Sequence, residues 1–156
     1  KFKLQFDLEE MKRKLGDSVI ILLRMHYLVS EQFNLGKYKD FVKDVSLYKD
    51  IRDLYLISDL LITDYSSVFF DYMNLKKPIV FFVYDLPAYR DSIRGFYFNF
   101  QQKTPGNLVQ TSEELIDTVI ELLHNPYIDH NYEDFYNEFC NLEDGKASKR
   151  VIETIL

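Results

Sequence analysis

Three short runs decide most of what this chain can become: Val19-Ile20-Ile21-Leu22-Leu23, Asp59-Leu60-Leu61-Ile62-Thr63-Asp64 and Ile79-Val80-Phe81-Phe82-Val83. A strand that is apolar on both faces has no side to offer to water. It needs cover above and below, which a parallel sheet gains from crossover helices. None of the runs approaches the roughly 18 apolar residues of a membrane span. Between them lie stretches with helical signals. Phe2, Leu4, Phe6, Leu8, Met11 and Leu15 partly fit one helical face, with Gly16 as a C-terminal stop. Asp50 caps a short helix through Ile51, Leu54, Tyr55 and Ile57, and Ser66 to Leu75 reads as a helix halted by Lys76-Lys77-Pro78. Thr111-Ser112-Glu113-Glu114 carries a capping signature and opens a helix to His124, broken by Asn125-Pro126. Two further helices, Tyr132 to Leu142 and Ala147 to Leu156, flank Glu143-Asp144-Gly145. Phe41 to Val45 and Leu108-Val109 are weaker strands, and Tyr84 to about Gly106 reads as a loop. Apolar strands alternating with helices predict an α/β fold: a Rossmann-like, mainly parallel sheet with helices on both faces.

The chain has 156 residues, enough for one domain or one lobe of a larger enzyme. A domain of this size buries roughly 70% of the surface its unfolded chain exposes. Lys1 in the first position reads as a fragment of something longer, so residues 1–156 form a single lobe in this reading. Twelve tyrosines and thirteen phenylalanines supply rings for the core, and tyrosine adds a hydroxyl suited to cleft walls. The net charge of −6 excludes a general nucleic-acid binder, which needs basic surface against phosphates. It leaves room for a nucleotide site built from backbone N–H groups and one or two basic side chains. The single Cys140 forms no internal disulfide and fits a packed thiol near a helix, in keeping with a reducing, cytoplasmic compartment. His124 and His130 lack a second ligand at metal spacing, so no metal site is assigned and no cofactor is expected.

In parallel sheets ligands bind beyond the carboxyl ends of the strands. Three strands deliver polar groups there: His26 after the first run, Asp64-Tyr65-Ser66-Ser67 after the second, and Tyr84-Asp85 after the third. At Asp64 to Ser67 a strand ends, two hydroxyls follow and a helix begins, an arrangement that favours an anion. The same spacing also describes an ordinary N-cap by Asp64 or Ser66, worth about 1 kcal/mol. There is no P-loop or GxGxxG signature. His26 suits acid–base work or donation to a phosphate oxygen; alone, a histidine at a strand end is more often an ordinary polar residue. Asp71 lies one helical turn after Ser67, within reach of a ligand at the helix start or simply in solvent. Arg94-Gly95-Phe96-Tyr97, within Arg90 to Tyr97, sets a guanidinium beside a glycine, as in a loop folding over a phosphate, though by itself this is more often an ordinary surface arginine. Lys146, Ser148 and Arg150 gather at the start of the last helix, as a phosphate clamp or a solvated helix end.

At these residues the chain resembles a known family. Ile57-Ser58-Asp59-Leu60-Leu61-Ile62-Thr63-Asp64-Tyr65-Ser66-Ser67-Val68-Phe69-Phe70-Asp71 is similar to the signature of the CDP-glycerol:poly(glycerophosphate) glycerophosphotransferases of teichoic-acid synthesis. The resemblance runs back through Asp44-Val45-Ser46 to Arg24-Met25-His26. Forward, it takes in Lys77-Pro78-Ile79, Arg94-Gly95-Phe96-Tyr97, Pro105-Gly106, Glu113-Glu114-Leu115 and Asp144-Gly145-Lys146-Ala147-Ser148. It departs at Tyr27, where the family usually has proline, and at Asn99, where an acid is common.

The resemblance implies the C-terminal, donor-binding half of a GT-B fold and transfer of glycerol phosphate from CDP-glycerol, or CDP-ribitol, with release of CMP. The acceptor is a lipid-linked polymer held mainly by an N-terminal lobe, with peripheral contact to the inner membrane face in the full-length protein. Ser66 and Ser67 then hold the diphosphate, Asp71 lies near the glycerol end, and His26 assists the leaving phosphate. Asp64 belongs to the same turn, and Arg94, Lys146, Ser148 and Arg150 are further donor-binding candidates. Competing readings are a GT-B glycosyltransferase using a UDP- or other nucleotide-sugar and a non-catalytic α/β nucleotide-binding module. A receiver-like module needs an acidic pair after the first strand, where Arg24-Met25-His26 stands. A purely structural lobe is the last alternative.

Overall fold

A computed structural model describes residues 4–25, 35–93 and 95–156. Its described strands are β1 (Ile21–Leu23), β2 (Val42–Asp44), β3 (Leu61–Thr63), β4 (Ile79–Phe82) and β5 (Asn107–Val109). They pair as β1–β2 and as β3–β4–β5, and each of these pairings is parallel. The registers align Leu61 with Ile79, Val80 with Asn107, and Ile21 with Val42.

Strand β4 explains the layering. Ile79, Val80, Phe81 and Phe82 are all buried, so the strand has no solvent face. Ile79, Phe81 and Val83 point into one cluster with Tyr55, Phe69, Tyr72, Met73, Tyr132 and Phe135. Val80 and Phe82 point into another with Leu8, Met11, Val42, Leu115, Ile116 and Val119. Side chains alternate across a strand, so successive residues feed opposite layers. Helices α2 (Ile51–Ile57) and α3 (Val68–Met73) supply the first layer, along with α7 (Tyr132–Phe139). The second is supplied by α1 (Leu8–Leu15) and α6 (Ser112–His124). The predicted α/β arrangement with helices on both faces is what forms.

The helix ends follow local chemistry. The Asp7 carboxylate accepts from the N–H groups of Glu9 and Glu10 at 2.9 and 3.0 Å, so α1 starts only at Leu8, later than the apolar pattern from Phe2 suggests. Gly16 then turns the chain at φ 60°, where L side chains are strained. Asp7 N–H also donates to Ser112 Oγ at 2.7 Å, and Lys14 pairs with Asp117 at 2.8 Å, which lays α1 along α6. Thr111 and Glu114 form the expected reciprocal capping box at the start of α6. The Lys77 ammonium donates to the carbonyls of Ser58 and Leu56 at 2.6 and 2.9 Å, closing the C-terminus of α2.

The stretch read as a loop after β4 holds more structure than its composition suggests. It contains α4 (Leu86–Ala88), a wide helical turn over Tyr89–Ile93 and α5 (Phe100–Lys103). Pro87 suits the first turn of α4, and the Asn99 side chain accepts from Gln102 N–H to start α5. What orders the segment is ring packing: Phe96 stacks on Phe100 with centroids 4.6 Å apart, and Phe100 meets Phe81 edge-on at 5.6 Å. The Phe100–Phe81 contact spans nineteen residues of sequence, so turn signals along the chain could not report it. The last helix, α8 (Ala147–Ile155), has no buried residue. No helix among the described residues is long and apolar enough to cross a membrane.

Candidate functional site

The carboxyl end of β3 carries the site's central turn. Asp64 Oδ1 accepts from Ser66 N–H at 2.8 Å, an Asx turn that bends the chain between strand and helix. Ser67 is the N-cap residue of α3, yet its side chain makes no cap hydrogen bond. Ser66 and Ser67 are exposed, and neither hydroxyl has a hydrogen-bond partner among the described residues. Of the alternative in which Asp64 or Ser66 is an ordinary N-cap, the structure shows only the Asp64 carboxylate accepting from Ser66 N–H, and the serine hydroxyls remain available. The first turn of any α-helix leaves N–H groups without intrahelical acceptors, and here they open beside those hydroxyls.

The segment after β4 closes on this turn. The Tyr65 hydroxyl donates to Asp85 Oδ1 at 2.9 Å, joining the end of β3 to the segment after β4. The Tyr65 ring stacks on Tyr89 with centroids 3.9 Å apart. Burial, then the Asp85 hydrogen bond and charge, push the Tyr65 phenol far above its ordinary pKa, so it stays a protonated donor. At the end of β1, Arg24 Nη1 donates to the carbonyl of Tyr48 at 2.7 Å and Met25 N–H to Ser46 Oγ at 3.0 Å. These bonds tie β1 to the loop after β2. His26, the next residue, and Arg94 lie outside the described residues.

Asp71 is exposed on α3 and lines a cavity of about 500 Å³ with Lys49, Arg52, Tyr55 and Asn74. Among the described residues, the buried Tyr55 hydroxyl has no hydrogen-bond partner. Burial raises its pKa, the Asp71 carboxylate raises it further, and the Arg24 charge opposes both. A second cavity of about 460 Å³ lies over Leu86, Arg90, Gly95 and Phe96. Arg90 is engaged there with Asp91 at 2.7 Å, which holds the Asp91 carboxyl below its usual range.

The residues at the start of α8 belong to a local structure. Arg150 pairs with Asp144 at 2.6 Å and also donates to the Leu142 carbonyl, while Lys146 N–H donates to Asp144 Oδ1 at 2.9 Å. Ser148 is exposed. Among the described residues no hydrogen bond or ion pair joins Lys146, Ser148 or Arg150 to the turn at Asp64 to Ser67. The structure thus brings together Asp64, Ser66 and Ser67, with Asp71 one turn along α3. It also gives a role to Tyr65 and Asp85, which the sequence sets at this edge without assigning them one. Their only sequence signal is position: each stands at or just beyond a strand's carboxyl end.

This geometry sits within a chain that matches, over residues 1–156, the family described as CDP-Glycerol:Poly(glycerophosphate) glycerophosphotransferase. The chain belongs to that family. It is 50% identical over 156 residues to a teichoic acid poly(glycerol phosphate) polymerase of Bacillus subtilis (strain 168), covering 99% of this chain and 21% of the relative. It is 49% identical to a teichoic acid glycerol-phosphate transferase of Staphylococcus aureus (strain NCTC 8325 / PS 47), covering 99% of this chain and 39% of that protein. A structure of a variant of the wall teichoic acid polymerase TagF, soaked with CDPG, superposes with a TM-score of 0.85 at 42% identity. That match covers 99% of this chain and 38% of the TagF chain. The mainly parallel sheet with flanking helices is accordingly that of part of a GT-B-type polymerase. The chain spans less than two fifths of the length of each relative named here.

Proposed function

We propose that this chain is the donor-binding lobe of a longer, two-lobed transferase that moves glycerol phosphate from CDP-glycerol to a membrane-linked polymer and releases CMP. The observation that carries the proposal is the pair of unengaged hydroxyls, Ser66 and Ser67, at the first turn of α3 beyond a parallel strand. Family membership gives that pair its substrate. A diphosphate seated there receives hydroxyl and backbone N–H donors without any rearrangement of the turn, because Asp64 already fixes it.

In this reading an acceptor hydroxyl attacks the glycerol-bearing phosphorus. A new P–O bond forms as the bond to CMP breaks, and the acceptor's proton passes to a base from the other lobe. Negative charge grows on the leaving phosphate, where the turn's preorganised donors stabilise it. His26, placed by resemblance alone, assists the same group, and Asp71 lies toward the glycerol end. Arg94 remains a candidate to close over the phosphates. Arg150, engaged with Asp144, is the weakest of the donor-binding assignments, with Lys146 and Ser148 beside it. The acceptor's lipid end places the full-length enzyme at the inner membrane face.

The test is calorimetric titration of the full-length protein with CDP-glycerol, CDP-ribitol, UDP-glucose and CMP, repeated with Ser66→Ala and Ser67→Ala combined. Selective binding of CDP-glycerol that the double variant loses supports the reading, with a fall in turnover on the order of a hundredfold. Unchanged binding and turnover in the double variant would refute it.

A further inference from the structure

Tyr65 sits between the Asx turn of Asp64 and the hydroxyls of Ser66 and Ser67, yet its own side chain faces the other way, into the segment after β4. Polar and ring contacts, Phe96 at 5.6 Å among them, hold it there. Its hydroxyl donates to Asp85 Oδ1 at 2.9 Å, its ring stacks on Tyr89 at 3.9 Å, and Phe100 meets it edge-on at 5.7 Å. Asp85 gives the decisive detail. It is the N-cap residue of α4, a position where a carboxylate ordinarily accepts from its own helix's N–H groups, but its side chain makes no cap hydrogen bond. The carboxylate is turned to Tyr65 instead.

We propose that Tyr65 is a positioning residue for donor binding, its hydrogen bond to Asp85 fixing the Ser66–Ser67 turn against the segment that follows β4. The inference rests on the reading of that turn as the diphosphate site. A hydroxyl pair on a short turn loses binding geometry with small rotations of the backbone, and the phenol–carboxylate bond removes that freedom from the side opposite Asp64. Asp64 holds the turn locally, whereas Tyr65 registers it to a second strand end.

The experiment measures CMP release by the full-length enzyme across CDP-glycerol concentrations for Tyr65→Phe, Asp85→Ala, Asp85→Asn and the Tyr65→Phe/Asp85→Ala double variant, alongside Tm. Tyr65→Phe and Asp85→Ala should each raise KM roughly tenfold, the size of one hydrogen bond to a charged acceptor, with kcat changed much less. The double variant should be no worse than either single, because both break one bond. Asp85→Asn keeps an accepting oxygen without the charge and should raise KM clearly less than Asp85→Ala does. Unchanged KM in both Tyr65→Phe and Asp85→Ala, whatever their Tm, overturns the proposal, as do additive effects in the double variant. If Tyr65→Phe does not fold, the contrast between Asp85→Ala and Asp85→Asn decides. The serine pair separates the two readings. A raised KM in Ser66→Ala/Ser67→Ala with a silent Tyr65→Phe removes only the positioning role, and a silent serine pair removes the diphosphate site and this role with it.

Discussion

The two layers on either side of β4 are built from different materials. The layer against α1 and α6 is chiefly aliphatic: Leu8, Met11, Val42, Val80, Val109, Leu115, Ile116, Val119 and Leu122. The layer against α2, α3 and α7 is aromatic, with Tyr55, Phe69, Tyr72, Phe81, Phe100, Tyr132 and Phe135. Aliphatic side chains stabilise through buried area and tolerate many arrangements of similar volume. Rings add orientation, and tyrosines add a hydroxyl that reaches the backbone at the layer's rim. Tyr132 donates to the Met73 carbonyl at 2.8 Å and Tyr72 to the Ser58 carbonyl at 3.2 Å, with burial pushing both phenols up. Tyr65 extends the same chemistry to Asp85 at the candidate site. The aliphatic layer thus acts as foundation, while the aromatic one places particular atoms.

One cavity in each layer tests whether the two differ in what they place. Phe81→Ala should cost about 4 kcal/mol in urea unfolding. It should also weaken donor binding in the full-length enzyme, because Phe81 packs on Phe100, which packs on Tyr65. Leu115→Ala, fully buried in the aliphatic layer, should cost about 3 kcal/mol and leave KM for CDP-glycerol unchanged at temperatures where the variant stays folded. Equal effects of both on KM would erase the distinction. A finer probe is Tyr132→Phe, expected to cost about 1 kcal/mol by chemical denaturation, since the Met73 carbonyl keeps the Lys76 N–H as a second partner. A loss several times larger would mean that the aromatic layer depends on its hydroxyls more than on its rings.

The smallest expected effects lie at the edge of the aliphatic layer. Thr111→Ala removes one half of the α6 capping box and should lower stability by about 1 kcal/mol without touching donor binding. Glu114, the other half, is held below its ordinary range by the N–H groups of Gln110 and Thr111. A depressed folded pKa means that the unfolded chain takes up the proton first. The stabilisation is therefore complete above the ordinary glutamate value of 4.5 and fades as pH falls through the lower folded value. Tm of wild type and Glu114→Gln should accordingly converge on acidification. A constant gap between them would place the stabilisation elsewhere.

Much of this protein was legible from its residues. The doubly apolar run Ile79 to Val83 required cover on both faces, and received it. The capping signals at Asp50 and Thr111 act locally, over three residues, so the sequence contains them whole. The family signature from Ile57 to Asp71 is likewise contiguous, and the family match extends over the whole chain. Tertiary structure alone decided three things: which layer each residue of β4 feeds, how Tyr84 to Gly106 is ordered, and what Tyr65 touches. A segment without helical periodicity became ordered because Phe96 and Phe100 found each other and then Phe81. Whether Ser66 was a cap or an open donor depended on where Asp64 turned its carboxylate, and the Tyr65–Asp85 bond spans twenty residues of sequence. Local chemistry is written in neighbouring letters, but the partners of a strand end are set by which strands lie side by side, and that is a property of the folded sheet.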